Sequence, residues 1–406
     1  MPFIYKRLMY LLALLSSLRF AVWALLLLML VIFFGTLYQV NHGLHAAQDN
    51  FYYAWLTPTI NQWYTPESPD AVSRTISWML VPLPGGLTVL WALYINLFLS
   101  MLLKFRYGWR QVGSILTHAG LLLLLAGGWI THITAEEGYL TLQEGEASNV
   151  AASYTDWEIA LWEGERIDRE VFAYSVDALN PGDLLEFEQV RLYLKVESYY
   201  RNAEAFVDPN AANTHVTFNV AGITHLEAVP LDKNPERNMP GILFTTWIGE
   251  GAREKLLLYA GDPSPVMLVV DDTPWFLELR RKRIPLPIKV KLLDFRAEFK
   301  PNSTIPSSFS SRVNVQGPGM DRQVIVEMNR PFRHAGFTYF QSSYGKADDG
   351  SEMSTFAVVH NRWMLAPYIA PGVTVIGLII HFGMEMLRPR RVLKGDSKCS
   401  DFFKWL

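Results

Sequence analysis

The chain is nearly devoid of cysteine, and that absence removes several kinds of chemistry at once. Cys399 stands alone among 406 residues, so there is no intrachain disulfide, no cysteine-based zinc site and no C-x-x-C redox pair. Charge is sparse as well. Only 18% of residues are charged against 50% hydrophobic, past the balance of an ordinary soluble domain. The formal net charge of −3 supplies no basic excess for a nucleic-acid partner. Common enzyme signatures are missing too: there is no G-x-S-x-G, no H-E-x-x-H, no P-loop and no dinucleotide fingerprint. Gly249 and Gly251 make a lone G-x-G without the third glycine, which reads as a turn.

What the sequence does contain is a set of long apolar runs, three before about residue 135 and one after about residue 365. Candidate spans cover about 20 to 39, 78 to 103, 112 to 133 and 366 to 387, each near the length needed to cross a hydrocarbon core of roughly 30 Å. The first follows Lys6, Arg7 and Arg19. Its length and the lack of an A-x-A-like cleavage site suit a permanent anchor better than a signal peptide. The second carries Pro82, Pro84, Gly85 and Gly86 in its first turns, which is tolerable near an interface.

Lysine and arginine set the expected orientation. Lys6, Arg7 and Arg19 precede the first span; Lys104, Arg106 and Arg110 lie between the second and third; Arg388, Arg390, Arg391, Lys394, Lys398 and Lys404 crowd the tail. The loop from 40 to 77 has Arg74 alone. By the positive-inside rule both termini are cytoplasmic and the stretch from about 135 to 365 faces out. The chain therefore divides into a membrane region over 1–134, an extracytoplasmic domain over 135–365, a fourth span over 366–387 and a cytoplasmic tail over 388–406. The outer domain carries a net charge of about −10, which fits a solvated surface or a weak attraction for a basic partner.

The outer domain reads as β-rich. Segments 138–142, 190–196, 215–220, 241–246, 288–293, 324–328 and 337–341 are short, rich in β-branched or aromatic residues, and bounded by Gly, Pro, Asn or Asp. No long 3.6-residue period is sustained, so a β-sandwich or partly open barrel is expected. The basic run Arg280–Arg283 reads as a solvated loop or strand edge, with lipid headgroups or an acidic partner as the alternative.

Ionisable groups inside a bilayer are costly and by default mark function. His118, in LTHAGLLLLLAGGW, falls about six residues into the third span, roughly 9 Å deep. His381, in VIGLIIHFGMEMLR, lies about six residues before the cytoplasmic end of the fourth, at nearly the same depth. Neutral imidazoles are good axial ligands for haem iron, and two facing ones could hold a flat macrocycle between helices. Hydrogen bonding to a neighbouring helix is the bland alternative for each. Ala119, Gly120, Gly127 and Gly128 would let a ring or a helix approach closely. His132, His42 and His45 fall at the outer interface, where a second haem station would need such ligands, whereas His215, His225, His334 and His360 lack metal-ligand spacing.

Several stretches together resemble the ResB family, also called the CcsB component of System II cytochrome c biogenesis. They are FFGTLYQV, VPLPGGLTVLWALYINL, GSILTHAGLLLLLAGGWIT running into EEGYLTLQEGEASN, PSSFSSRVNV, and VEMNRPFRHAGFTYFQSSYG before the last span. Their order, together with three spans, an outer domain and a final span, carries the resemblance over nearly the whole chain. It implies a membrane protein of four transmembrane α-helices, with a large β-rich extracytoplasmic domain between the third and fourth.

By that resemblance the chain works with a ResC-like (CcsA-like) membrane protein to deliver haem b across the bacterial cytoplasmic membrane, for covalent attachment to apocytochrome c. A histidine in the family's third span is implicated in binding haem, and the matching position is His118; His381 is added from depth alone. The chain lacks the tryptophan-rich W-x-W-D segment of the partner family and any C-x-x-C-H, so thioether chemistry would reside on the partner and this chain would be an accessory subunit. Two other readings compete: a membrane-anchored scaffold that stabilises the partner without binding haem, and a secondary transporter, against which the absence of a repeat pair argues. The stretch from Asn329 to Tyr344 reads either as a contact surface or as an ordinary turn between two strands.

Overall fold

In the computed structural model of the protein, residues 2–57, 83–105, 107–164, 170–207, 216–218, 221–262, 264–300, 306–346 and 350–387 are described. The tail 388–406 with Cys399, the loop basic residues Arg74 and Arg106, His215, Pro82 and the rest of 78–82 lie outside them. The described chain divides into two units, one of residues 1–35, 50–133 and 363–406, the other of residues 36–49 and 134–362.

The first unit is helical. Its helices are α1 (Pro2–Leu15), α2 (Leu18–His42, whose last turns cluster with the second unit), α3 (Gly86–Lys104), α4 (Val112–Thr134) and α5 (Ala366–Met386). Four stretches, namely α2, α3, α5 and α4 with its leading turn from Trp109, are long and apolar enough to cross a membrane. Only 11–22% of each apolar window is buried inside the protein, so most of these side chains face outward, the arrangement of a membrane protein rather than of a water-soluble bundle. At 14 residues α1 is too short to cross.

Ser17 caps α2 by accepting a hydrogen bond from the Phe20 N–H (3.1 Å). The carbonyls freed at the break between α1 and α2 are taken up by a polar stripe spaced four residues apart on α3. The Asn96 amide donates to the Leu15 and Ser17 oxygens, and Ser100 Oγ and Lys104 Nζ donate to Ser16 O. A buried asparagine on an apolar helix thus has its donors matched.

Helix α3 begins at Gly86, later than the apolar run suggested. Pro84 lies in a bridge with Leu56, and Gly85 is extended. The chain turns there because a Cβ on Gly86 would come within 2.6 Å of Tyr52 O, a distance that only glycine tolerates.

Helices α4 and α5 run antiparallel and almost touch backbone to backbone. A Cβ on Gly113 would sit 2.7 Å from His381 Cα and from Gly377 O; one on Gly120 would sit 2.8 Å from Thr374 N; one on Gly127 would meet Ala366 Cβ at 2.7 Å. Small residues repeated at this spacing permit the close approach, which substitutes for the hydrophobic drive that is missing between helices in lipid.

The second unit is β-rich, and the expected strands that fall on described residues all lie on observed ones. Among those residues its largest sheet runs Met320–Glu327, Pro306–Gly317, Thr273–Phe299, Ala147–Glu163, Glu136–Gln143, Glu352–His360, Phe337–Lys346, Phe332–His334. Val266–Val270 pairs with Thr273–Phe299 and Val171–Ser175 with Ala147–Glu163. A second sheet runs Leu184–Phe187, Leu192–Tyr200, Gly241–Ile248, Glu254–Tyr259, Val216–Phe218.

The 27-residue strand Thr273–Phe299 serves two cores, and a register shift between Arg281 and Arg283 is what allows it. Before the shift the odd-numbered Leu277 and Leu279 are buried in a core shared with the second sheet, a sandwich that includes Leu194, Ile242, Phe244 and Leu256. After it the even-numbered Ile284, Leu286, Ile288, Val290 and Leu292 are buried with Leu142, Val313, Val326, Phe332 and Phe356, all from the first sheet. That sheet curls until strands from its two ends, Met320–Glu327 and Phe332–His334, share one core. The partner strand advances five residues, from Trp157 to Ala152, while this one advances two, and an odd offset inverts which face of a strand is buried. Sandwich and partly open barrel are thus both present, joined along two long strands.

The run Arg280–Arg283 is neither a solvated loop nor a strand edge; it occupies this shift in the middle of a strand. Arg280 Nε donates to Glu158 Oε1 at 2.9 Å, with both side chains largely buried. Arg281 stacks over Trp157 at 3.9 Å, and burial pushes its guanidinium below the usual arginine range. The stretch 329–344 holds the turn and strand pair that send Phe332, Phe337 and Tyr339 into the barrel core, with exposed residues between them. Tyr339 is buried, and Gln341 is held by Ser311 and Ser354.

Candidate functional site

His118 lies on α4, half-buried. Its Nδ1 bonds the carbonyl oxygen of Ser114, one turn earlier, at 2.7 Å. A carbonyl can only accept, so Nδ1 carries the proton and Nε2 keeps its lone pair. Such a bond fixes the tautomer and aims the ring of metal-bound histidines. Phe105 meets the imidazole edge-on, with centroids 4.8 Å apart. The donor set thus fits an iron ligand, one oriented Nε2 among apolar neighbours.

His381 is placed by its backbone, which packs on Gly113. Gly113 precedes His118 by five residues, about 7.5 Å along the helix and about 140° around it. Side chains on a helix lean toward its N-terminus, so on antiparallel helices these two imidazoles lean toward a common level from different sides of α4. His381 itself sits at the seam between α4 and α5, against Phe382 (5.4 Å).

Five other described histidines engage neighbours. His42 stacks on Tyr38 at 4.0 Å, His225 on Phe206 at 5.2 Å and His360 on Phe337 at 4.3 Å, the last with Nδ1 3.6 Å from Glu136. His334 lies parallel to Phe332 at 6.4 Å. His132, near the far end of α4, stacks on Tyr53 at 3.8 Å and leans on Trp129 at 6.0 Å. Pattern reading of the sequence could not supply that arrangement, because Tyr53 belongs to a distant segment.

Of the glycines singled out for close approach, Gly120 and Gly127 face α5, whereas a Cβ on Gly128 would meet nothing within 4 Å. The first two serve helix packing. The third leaves open space.

Comparison with known proteins agrees with this architecture. The chain is 22% identical over 248 residues to Protein NrfI of Wolinella succinogenes; the alignment covers 60% of this chain but only 24% of that protein. The model of the ResB-like family matches residues 239–382. The match takes in much of the β-rich unit and α5 with His381, and does not include His118. The ordered motifs and the fold agree with that similarity to the ResB-like family.

Proposed function

We propose that this chain is a haem-handling membrane subunit in the biogenesis of cytochrome c, with His118 as an axial ligand to haem held within the membrane. The observation that carries the proposal is the hydrogen bond from Nδ1–H of His118 to Ser114 O, which leaves Nε2 as an oriented donor beside apolar side chains. Bound haem would supply an iron centre whose attachment to apocytochrome completes the product. Residues of this chain position it, exclude water and coordinate one face. The other face falls to a histidine of a ResC-like (CcsA-like) partner; His381, about 140° around α4 from His118, would reach the same iron only after a shift of α5. With the basic residues placed inside, the His118 end of α4 is cytoplasmic and the β-rich unit faces out.

A scaffold role is the second reading. It is favoured by the family match, which falls largely on the β-rich unit and excludes α4. A visible spectrum of the purified protein, coexpressed with a ResC-like partner, separates the two. His118→Ala loses the Soret band and cytochrome maturation together while the complex stays intact, and added imidazole partly restores both by filling the vacant coordination site. An unchanged band would remove His118 as a ligand and leave the scaffold reading.

A further inference from the structure

The helical unit contains a cavity of about 390 Å³, within the range that small-molecule sites occupy. It lies between the first turns of α3, the last turns of α4 and the segment carrying Tyr52 and Tyr53. Its walls are aromatic and aliphatic: Tyr52, Tyr53, Trp91, Tyr94 and Trp129 surround it, and His132 stands exposed at its rim. Gly128 also lines it, and the side chain that glycine lacks is part of why the space is open.

His132 is the chemically distinctive group there. Its ring lies flat on Tyr53, so stacking engages the faces and leaves the two in-plane nitrogens free. Among the described residues neither nitrogen has a hydrogen-bond partner. The position relative to His118 is equally specific. Fourteen residues separate the two histidines, which on an α-helix amounts to about 21 Å along the axis and a rotation within about 40° of full turns. One face of α4 therefore presents an imidazole near each end, and Leu125 and Trp129 on the same face belong to the cavity wall. A flat apolar macrocycle would stack between aromatic rings, and a ring nitrogen at the rim could reach its metal.

We infer that this cavity is a second binding position for haem, with His132 as the iron ligand, at the end of α4 opposite His118. The inference rests on the proposed function, since both positions would take the same molecule. It adds a station on this chain where haem waits after leaving the first.

Titration of the full-length protein in lipid nanodiscs with haemin tests this, followed by the Soret band and by quenching of tryptophan fluorescence. Trp91 and Trp129 line the cavity, so the quenching that accompanies the second equivalent and is lost in His132→Ala reports occupancy of this position. Two variants attack it independently. His132→Ala removes the ligand, and Gly128→Leu fills the cavity without touching a ligand or a packed helix. Both should keep the circular dichroism and elution volume of the native chain.

The expected result is a second equivalent of haemin in the native protein, bound with a low-spin Soret shift and tryptophan quenching. Its affinity falls in both variants by at least the roughly 10–100-fold that disturbing a ligand's outer shell costs. His118→Ala should spare this second equivalent and lose the first. Quenching and affinity unchanged in His132→Ala would overturn the inference, whether the cavity then holds a lipid chain or haemin without ligation. If His118→Ala changes nothing while His132→Ala loses one equivalent, the inner ligand assignment fails and this inference stands.

Discussion

Gly113→Ala is the sharpest test of how α4 and α5 are joined. The added methyl would lie 2.7 Å from both His381 Cα and Gly377 O, whereas ordinary contact begins at 3.4 Å. His381 N lies nearer still, so the two helices must part by at least about 0.7 Å. Backbone cannot yield as a flexible side chain would, so the change should cost about 1–3 kcal/mol, the usual range for overpacking. Gly128→Ala, on the same helix but in open space, should instead be neutral or gain up to about 1 kcal/mol from helix propensity. Expected separation between the two is thus on the order of 1–4 kcal/mol. Reversible unfolding in mixed micelles, followed by circular dichroism, measures it, with Gly128→Ala serving as the control for any general effect of alanine. Equal stabilities for the two variants would refute the close seam, and with it the placement of His381 against Gly113.

In the β-rich unit, Glu158→Gln should destabilise by less than the about 3–5 kcal/mol of a buried charge left wholly unpaired, because the largely buried Arg280 would lose its 2.9 Å partner and keep only Glu278 at 3.9 Å; the double variant Glu158→Gln with Arg280→Met should recover much of the loss in a denaturant titration. Glu197 accepts a hydrogen bond from Thr245 Oγ1 and pairs with Lys255 at 3.4 Å, and these hold its carboxyl below the ordinary range. A lowered folded-state value means that the stabilisation is full above the unfolded carboxylate value of about 4.3 and fades as pH falls through the lowered one. The stability difference between native protein and Glu197→Gln should therefore disappear in acid and persist at neutral pH; a difference that grew on acidification would contradict the assignment.

The β vocabulary of the outer domain was legible because alternation and turn residues are local signals. The Gly241 and Phe337 segments became strands as their composition suggested. What strand content could not convey was that the Arg280–Arg283 run is a register shift. Four basic residues in a row resemble a solvated face, and only pairing with the strand Ala147–Glu163 shows that the register slips there, from Arg281 opposite Trp157 to Arg283 opposite Ala152. His118 was legible too, as an ionisable residue in an apolar run, but its bond to Ser114 O was not, since a histidine on a helix has several rotamers.

By itself the sequence determined the membrane character, the number of long apolar helices, the β content of the domain between them and the exclusion of disulfide and cysteine–metal chemistry. These follow from composition and short-range period, which need no knowledge of what packs against what. The tertiary structure decided which glycines meet a helix and which border a cavity, because Gly127 and Gly128 are adjacent in sequence yet face different surroundings. It also decided that Tyr53, 79 residues before His132, would lie flat on its ring. Contacts between distant segments depend on how helices approach and on where a sheet slips out of register, and neither quantity is encoded in any local window of the chain.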